Sequence, residues 1–284
     1  MNFGGLDPEY TTFDNAMFVV VPVPYDLTST YQPGSRKGPS AILDASCFME
    51  LYDEELRKET YLVGIHTLQP LEPDARGPRE MIETVRKSIR NLIKCEKVPV
   101  LLGGEHSITL GAVQALKRKY PELSVLQLDA HADMRDEYQE SPYSHATVGR
   151  RLWEICPLVQ AGIRSMSTQE ASFMEKNKVK NFSADFVLTE KNALEKICDG
   201  IKGDIYITVD LDVLDPSIMP STGTPEPGGI AWINLLGLLR KVSQSCQVRG
   251  FDVVELSPIP GLVAPDFLAA KLVYRMMSYI SEGH

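Results

Sequence analysis

Short apolar runs alternate with amphipathic stretches along this chain, and the alternation predicts its fold. Runs rich in β-branched residues, such as 18–22, 98–102 and 123–128, have the length and composition of buried strands. Strands that alternate with helices indicate βαβ units, whose helices cover both faces of a parallel sheet. We therefore predict an α/β fold, a three-layer αβα arrangement with a mostly parallel central sheet. The helical spacing is clearest at Met81, Ile82, Val85, Ile89, Leu92 and Ile93.

The alternation continues to the end of the chain. Residues 71–78 contain prolines, a glycine and charges, so we expect a surface loop there. No repeat or low-complexity segment divides the sequence, and we expect residues 1–284 to form a single domain. Further strands are predicted at 159–163, 205–209 and 249–254, and further helices at 39–49, 108–120, 148–155, 193–201, 232–242 and 266–280.

Carboxylates and imidazoles cluster after the predicted strands. Side chains two apart on an extended chain share a face, and Asp129, His131 and Asp133 are spaced in this way after the strand at 123–128. In an open parallel sheet, ligands bind beyond the carboxyl ends of the strands. His106 follows the strand at 98–102, and Asp210 and Asp212 follow the strand at 205–209. These residues supply four carboxylates in all, which a buried site cannot hold without cations. We therefore predict a site for two divalent metal ions, formed by His106, Asp129, His131, Asp133, Asp210 and Asp212.

The composition narrows the possible functions. The net charge of −9 disfavours a nucleic-acid partner, which would need a basic face, and it suits a cationic substrate. The sequence has no apolar run near the roughly 18 residues that a membrane span needs, and its first residues do not form a secretory signal. We expect a cytoplasmic protein without a membrane partner. The five dispersed cysteines indicate reduced thiols, and we expect no functional role for His66 or His284.

The site residues fall in segments that resemble the ureohydrolase family of arginases and agmatinases. The segments occur in the family's order and reach from the first third of the chain to near its end, which is far more specific than a lone Asp-x-His pattern. The resemblance implies an arginase-like fold, a binuclear metal centre and a homo-oligomer, either a trimer or a hexamer. The matching segments are 103–107 (GGEHS), 129–133 (DAHAD), 144–145 (SH), 210–216 (DLDVLDP), 223–229 (GTPEPGG) and 252–258 (DVVELSP).

The resemblance also implies how the metals are held. Asp129, Asp210 and a hydroxide would bridge the two ions, and the hydroxide would be the nucleophile that attacks the guanidinium carbon. The abundance of carboxylates favours a hard ion, so we expect two Mn²⁺ per chain, while the imidazoles leave Fe²⁺, Co²⁺, Ni²⁺ and Zn²⁺ open. One metal would bind His106, Asp129, Asp133 and Asp210, and the other would bind His131, Asp129, Asp210 and Asp212.

Further roles in catalysis and substrate binding follow from the same resemblance. Asp133, besides binding metal, would accept a hydrogen bond that aims the hydroxide. His145 would carry a proton to the leaving amine. Glu255 would pair with the planar donor fork of the guanidinium, and Thr224 would lie beside the substrate.

The residues that follow the first acidic segment differ between members of the family that act on different substrates. Arginases usually place an asparagine two residues past the last aspartate of that segment, whereas this chain has Arg135. Arg135 and the segment 224–229 (TPEPGG) resemble agmatinases and the related aminopropylagmatine ureohydrolases. We therefore expect a binuclear-metal hydrolase of polyamine biosynthesis that cleaves agmatine to urea and putrescine. Asp136 or Glu137 would then face the distal amine of the substrate.

Other substrates and other classes of protein remain as alternatives. Within the family, the alternatives are hydrolysis of aminopropylagmatine, arginine, guanidinobutyrate or formiminoglutamate. Histone-deacetylase-like amide hydrolases share the general fold and an Asp-x-His motif, but they use one zinc and lack the second acidic segment that ends at Asp212. A non-enzymatic metal-binding protein is the last alternative, and such a protein would have no use for His145 or Glu255.

Overall fold

A parallel sheet forms the centre of the computed structural model, which describes residues 1–201 and 203–283, so that His284 lies outside the described residues. The strands in chain order are β1 (Phe18–Val23), β2 (Tyr52–Asp53), β3 (Lys58–Glu59), β4 (Ile65–Thr67), β5 (Val98–Gly103), β6 (Ser124–Leu128), β7 (Leu158–Ile163), β8 (Lys180–Ser183), β9 (Asp204–Asp210) and β10 (Gln247–Val254). The central sheet has eight strands in the order β4-β1-β5-β10-β9-β6-β7-β8, and its pairings are parallel. β2 and β3 pair antiparallel in a separate ribbon.

Helices connect the strands and cover the sheet. They are α1 (Gly38–Ser46), α2 (Pro78–Lys94), α3 (Thr109–Lys119), α4 (Val148–Ile155), α5 (Thr168–Asn177), α6 (Ala184–Thr189), α7 (Ala193–Cys198), α8 (Trp232–Ser245) and α9 (Ala264–Glu282). No helix in the described ranges combines the length and the apolar character that crossing a bilayer requires.

The core divides into two apolar clusters, one on each face of the sheet. Successive side chains of β1 show the division, because Val20 packs in the cluster that contains buried residues of α1, α8 and α9, whereas Val19 packs in the cluster of α2, α3 and α4. Leu102 and Leu101 of β5 divide in the same way. Since strands covered on both faces must be apolar throughout, their sequences read as continuous runs. The predicted three-layer α/β fold is therefore confirmed.

Several elements have no counterpart in the sequence-based prediction, and each has a local reason. β4 has only three residues, and β8 carries mostly exposed polar side chains at the edge of the sheet, so neither produces an apolar run. Both exist because their backbone groups pair with a neighbouring strand. The helix α5 begins at a capping box formed by Ser167 and Glu170, a signal that is visible in the sequence.

Candidate active site

The predicted site residues converge at the carboxyl ends of four adjacent strands. β5, β10, β9 and β6 are neighbours in the sheet. Asp129 directly follows β6, Asp210 is the last residue of β9, and Glu255 directly follows β10. His106 begins a short 3-10 turn three residues after β5. Segments far apart in sequence therefore meet at one edge of the sheet, as expected for a parallel α/β fold.

The first group of possible metal ligands is fully buried and centres on His106. Its Nδ1 atom lies 3.2 Å from Asp129 Oδ2, 3.3 Å from Asp210 Oδ2 and 3.5 Å from Asp133 Oδ2. Among the described residues, this Nδ1 atom has no hydrogen-bond partner of acceptable geometry, although it is buried. The other ring nitrogen, Nε2, lies 2.8 Å from Thr208 Oγ1. An imidazole nitrogen that is unpartnered and surrounded by carboxylates has the environment of a metal ligand.

The second group contains Asp129, His131 and Asp212, whose candidate ligand atoms lie within 4.8 Å of one another. His131 Nδ1 lies 2.8 Å from Asp212 Oδ2 and 3.8 Å from Asp129 Oδ1. Asp129 thus belongs to both groups, which is the position expected of a bridging carboxylate. Asp210 lies with the first group, so its bridging role stays a prediction.

The charges in these groups fit divalent cations. In the protein alone, burial and neighbouring carboxylates raise the pKa of Asp129, Asp133 and Asp210. Burial opposes a charge on His131, but Asp212 and Asp129 outweigh it and raise the pKa of His131 to about 11. Divalent cations bound here would relieve this repulsion and favour the ionised carboxylates. Oxygen-rich ligands with two imidazoles suit ions such as Mn²⁺, Fe²⁺ or Zn²⁺.

A buried hydrogen-bond network fixes the orientation of His106. Thr208 Oγ1 donates to Asp252 Oδ1 at 2.5 Å, so it accepts from His106 Nε2, and Nδ1 is the ring nitrogen that can lose its proton and bind a metal. Asp252 also accepts hydrogen bonds from Tyr206 and Thr109, at 2.7 and 2.8 Å. Hydroxyl partners on three sides stabilise this carboxylate, and it holds His106 through Thr208.

A cavity of about 310 Å³ opens above the two ligand groups. Glu255 lines it, and Glu255 Oε1 accepts a hydrogen bond from the backbone N–H of His106 at 2.7 Å. Burial, and then repulsion from Glu105, raises the pKa of Glu255 to about 8. Glu255 and Asp133 both have left-handed backbone angles, with φ of 65° and 53°. Strained backbone of this kind at non-glycine residues is concentrated at functional sites.

The other predicted residues divide between the cavity and its surroundings. His145 and Thr224 line the cavity. Burial, followed by the nearby imidazoles of His131 and His106, lowers the pKa of His145 to about 4, so its ring is neutral at pH 7. Asp215 braces the loop that carries Thr224, because its carboxylate accepts hydrogen bonds from the backbone of Ser217, Gly228 and Gly229.

The residues expected to face the distal amine do not line the cavity. Asp136 forms an ion pair with Arg151 at 2.7 Å, and Glu137 is exposed and outside the cavity lining. Arg135 and Glu170 line the cavity instead, with 3.9 Å between Arg135 Nε and Glu170 Oε2. The expectation that Asp136 or Glu137 faces the substrate is therefore corrected, because the loop turns both acids outward.

The sequence pattern did not reveal several polar residues that support the site. These residues lie within or beside apolar runs. Asp252 and Thr208 lie inside the buried strands β10 and β9. Glu105 is buried directly before His106. A charged or hydroxyl residue within an apolar strand is a signal that could have identified them, because such groups are buried only with partners.

Arg164 holds the loop behind the site, donating to the backbone carbonyl oxygens of Asp212 and Glu226 at 2.6 and 2.8 Å.

Known proteins resemble this chain over nearly its whole length. A sequence profile of the arginase family matches residues 16–278. The N(1)-aminopropylagmatine ureohydrolase of Thermus thermophilus is 41% identical over 273 residues, covering 96% of this chain and 92% of the relative. The N(1)-aminopropylagmatine ureohydrolase of Synechocystis sp. is 38% identical over 281 residues, with 96% and 92% covered. The crystal structure of agmatine ureohydrolase of Thermoplasma volcanium has a TM-score of 0.90 and 31% identity, covering 99% of this chain and 94% of that one.

Proposed function

The chain belongs to the arginase family, and on this premise we propose that it hydrolyses the guanidino group of N1-aminopropylagmatine, with agmatine as the second candidate substrate. Enzymes of this family hydrolyse C–N bonds of guanidino compounds and depend on a binuclear metal centre. One observation carries the proposal. Two ligand groups share Asp129, and the carboxylate of Glu255 lies on the wall of the cavity above them.

The sequence favoured agmatine over aminopropylagmatine as the substrate, and the proposal reverses that order. The curated relatives at 41% and 38% identity are named for N1-aminopropylagmatine, whereas the solved agmatine ureohydrolase is 31% identical. The charge of the cavity also supports a cationic substrate. Arg135 also lines the cavity, but Glu170 lies 3.9 Å from its Nε atom and the ring of Tyr138 lies 5.3 Å away, so both neighbours attract its charge.

The residues of the chain have separate tasks in the proposed reaction. Bound cations and a guanidinium favour the ionised form of Glu255, whose pKa is about 8 in the protein alone. As a carboxylate, Glu255 pairs with the guanidinium and holds its planar carbon over the ligand groups. Divalent cations, when bound by His106, His131 and the four aspartates, acidify water and supply positive charge. Neutral His145 accepts a proton that the attacking water loses and delivers it to the leaving amine, which must be protonated to depart at pH 7.

Several features of this proposal stay predictions. Two Mn²⁺ per chain fit the oxygen-rich ligands, and one ureohydrolase domain over residues 1–284 fits the range that the family profile matches. The homo-oligomeric state and the place in polyamine biosynthesis rest on the resemblance, and the cytoplasmic location stays an expectation from the sequence. Asp133, Thr224 and the remaining site residues keep their predicted roles as part of this proposal.

Urea release from a panel of guanidino compounds, measured with added Mn²⁺, tests the proposed function. N1-aminopropylagmatine should have the highest kcat/KM, and arginine should be at least about a hundredfold poorer, because its α-carboxylate must be desolvated among acidic residues. A clear preference for agmatine would select the second candidate. Comparable turnover of arginine or guanidinobutyrate would overturn the proposal and make Arg135 a partner for the substrate carboxylate.

A further inference from the structure

Glu105 is a buried carboxylate beside the site that neither binds metal in the proposed scheme nor meets the cavity. Its Oε2 accepts from the backbone N–H of Thr28 at 2.5 Å, and its Oε1 accepts from the hydroxyls of Thr28 and Ser107 at 2.7 and 2.5 Å. The neighbouring Gly104 allows this approach, because a Cβ atom there would collide with the backbone of Tyr25. Glu105 is therefore built to hold Thr28.

Thr28 in turn contacts His145 through two hydrogen bonds. The Thr28 Oγ1 atom lies 3.2 Å from the His145 backbone nitrogen and 3.2 Å from His145 Nδ1. The ring of Tyr138 packs edge-on against the His145 ring with 5.8 Å between centroids. The imidazole is thus fixed at its Nδ1 edge and against one face.

The number of protons and lone pairs on the Thr28 hydroxyl determines which atom donates in each of these hydrogen bonds. A hydroxyl has one proton and two lone pairs. The proton points to the carboxylate oxygen of Glu105, which lies closest at 2.7 Å. Both lone pairs then accept, one from the backbone N–H of His145 and one from its ring, so the ring proton must sit on Nδ1. A neutral imidazole protonated at Nδ1 has its free lone pair at Nε2.

We propose that Glu105 and Thr28 are positioning residues for His145, which hold its ring in place and fix the Nδ1-protonated tautomer, so that Nε2 is the atom that exchanges the proton. This proposal rests on the proposed function, because it assigns a task to the predicted proton carrier. Glu105 acts through Thr28, and Thr28 acts through His145.

The arrangement also links the tautomer of His145 to the position of the loop that lines the cavity. Thr28 directly precedes the cavity-lining residues 29–32. Both the backbone N–H and the side chain of Thr28 are bound by the same carboxylate, so the start of that loop is held at two points. A single buried acid therefore sets the position of the loop and of the histidine together.

The test replaces Thr28 with valine, which has a similar shape and lacks the hydroxyl. Nitrogen-15 NMR of ring-labelled histidines, in protein loaded with diamagnetic Zn²⁺, reports the tautomer of His145, and the signal is assigned by its loss in His145→Asn. Wild type should show Nδ1–H, and Thr28→Val should shift the ring toward Nε2–H. With Mn²⁺, Thr28→Val should lower kcat by about 10- to 100-fold, which is part of the rate enhancement that general acid–base catalysis usually provides. KM and metal content should stay near wild type.

Two variants separate positioning from a structural effect. Thr28→Ser keeps the hydroxyl and should restore the tautomer and most of kcat. Thr12→Val makes the same exchange at an exposed threonine outside the cavity and should leave kcat unchanged.

An Nε2–H tautomer in wild type, or a Thr28→Val enzyme with unchanged tautomer and kcat, would overturn the proposal. If Thr28→Val fails to fold, the tautomer of wild type and of Thr28→Ser still decides the question. The NMR result does not depend on which substrate is turned over. Absence of urea release from every guanidino compound would therefore reject the proposed function while leaving the tautomer result to stand on its own.

Discussion

Glu255→Gln is the most direct test of how the site binds a guanidinium. Glu255 Oε1 accepts a hydrogen bond from the His106 backbone N–H, so one carboxylate oxygen is occupied while the side chain lines the cavity. The glutamine carbonyl can keep that bond. Its NH₂ group then replaces the second oxygen and presents hydrogen-bond donors to a guanidinium that has only donors.

The magnitude follows from the loss of the charge and of the acceptor. Removing one partner of a buried ion pair costs about 3–5 kcal/mol, because the remaining charge is left without compensation. Since about 1.4 kcal/mol corresponds to a tenfold change, kcat/KM should fall by about two to four orders of magnitude. Metal content should not change, because Glu255 belongs to neither ligand group.

The assay compares steady-state urea release and metal content in wild type, Glu255→Gln and Glu137→Gln. Glu137 is an exposed carboxylate outside the cavity lining, so its amide variant controls for the loss of negative charge and should stay within about twofold of wild type. A fully metal-loaded Glu255→Gln enzyme within about tenfold of wild type would refute the guanidinium contact. Loss of metal in this variant would instead show that Glu255 acts by holding His106.

Asp129→Asn should deplete both metals, because the two ligand groups share this carboxylate, and elemental analysis should fall from about two ions per chain toward none; a stable value of one would mean that the groups bind independently. Thr208→Val should weaken metal binding by about 10- to 100-fold, because His106 Nε2 loses its partner, and a metal titration equal to that of wild type would contradict this. Metal binding at pH 7 should release protons, since the pKa values of His131, at about 11, and of His106 are raised and both rings are protonated beforehand. Affinity should therefore rise with pH, and calorimetric heats that do not depend on the ionisation enthalpy of the buffer would exclude this release.

The sequence by itself determined the layers of the fold and the neighbourhood of the metal ligands. An apolar run marks a strand buried on both faces, and the spacing of Asp129, His131 and Asp133 places ligands at its end. Because parallel strands end at one edge, ligands from β5, β6 and β9 had to meet. Short or exposed elements such as β4 and β8 left no apolar pattern, since their stability comes from pairing with a neighbour.

The tertiary structure alone decided which polar groups support those ligands and which loop acids face the substrate. Thr28 is 77 positions from Glu105 and 117 from His145, so no local pattern relates them. The turn that sends Asp136 to Arg151 and keeps Arg135 beside Glu170 is likewise set by contacts with α4 and α5. Sequence periodicity reports which face of one element is buried, whereas the partner of a buried hydroxyl or carboxylate depends on how separate elements pack together.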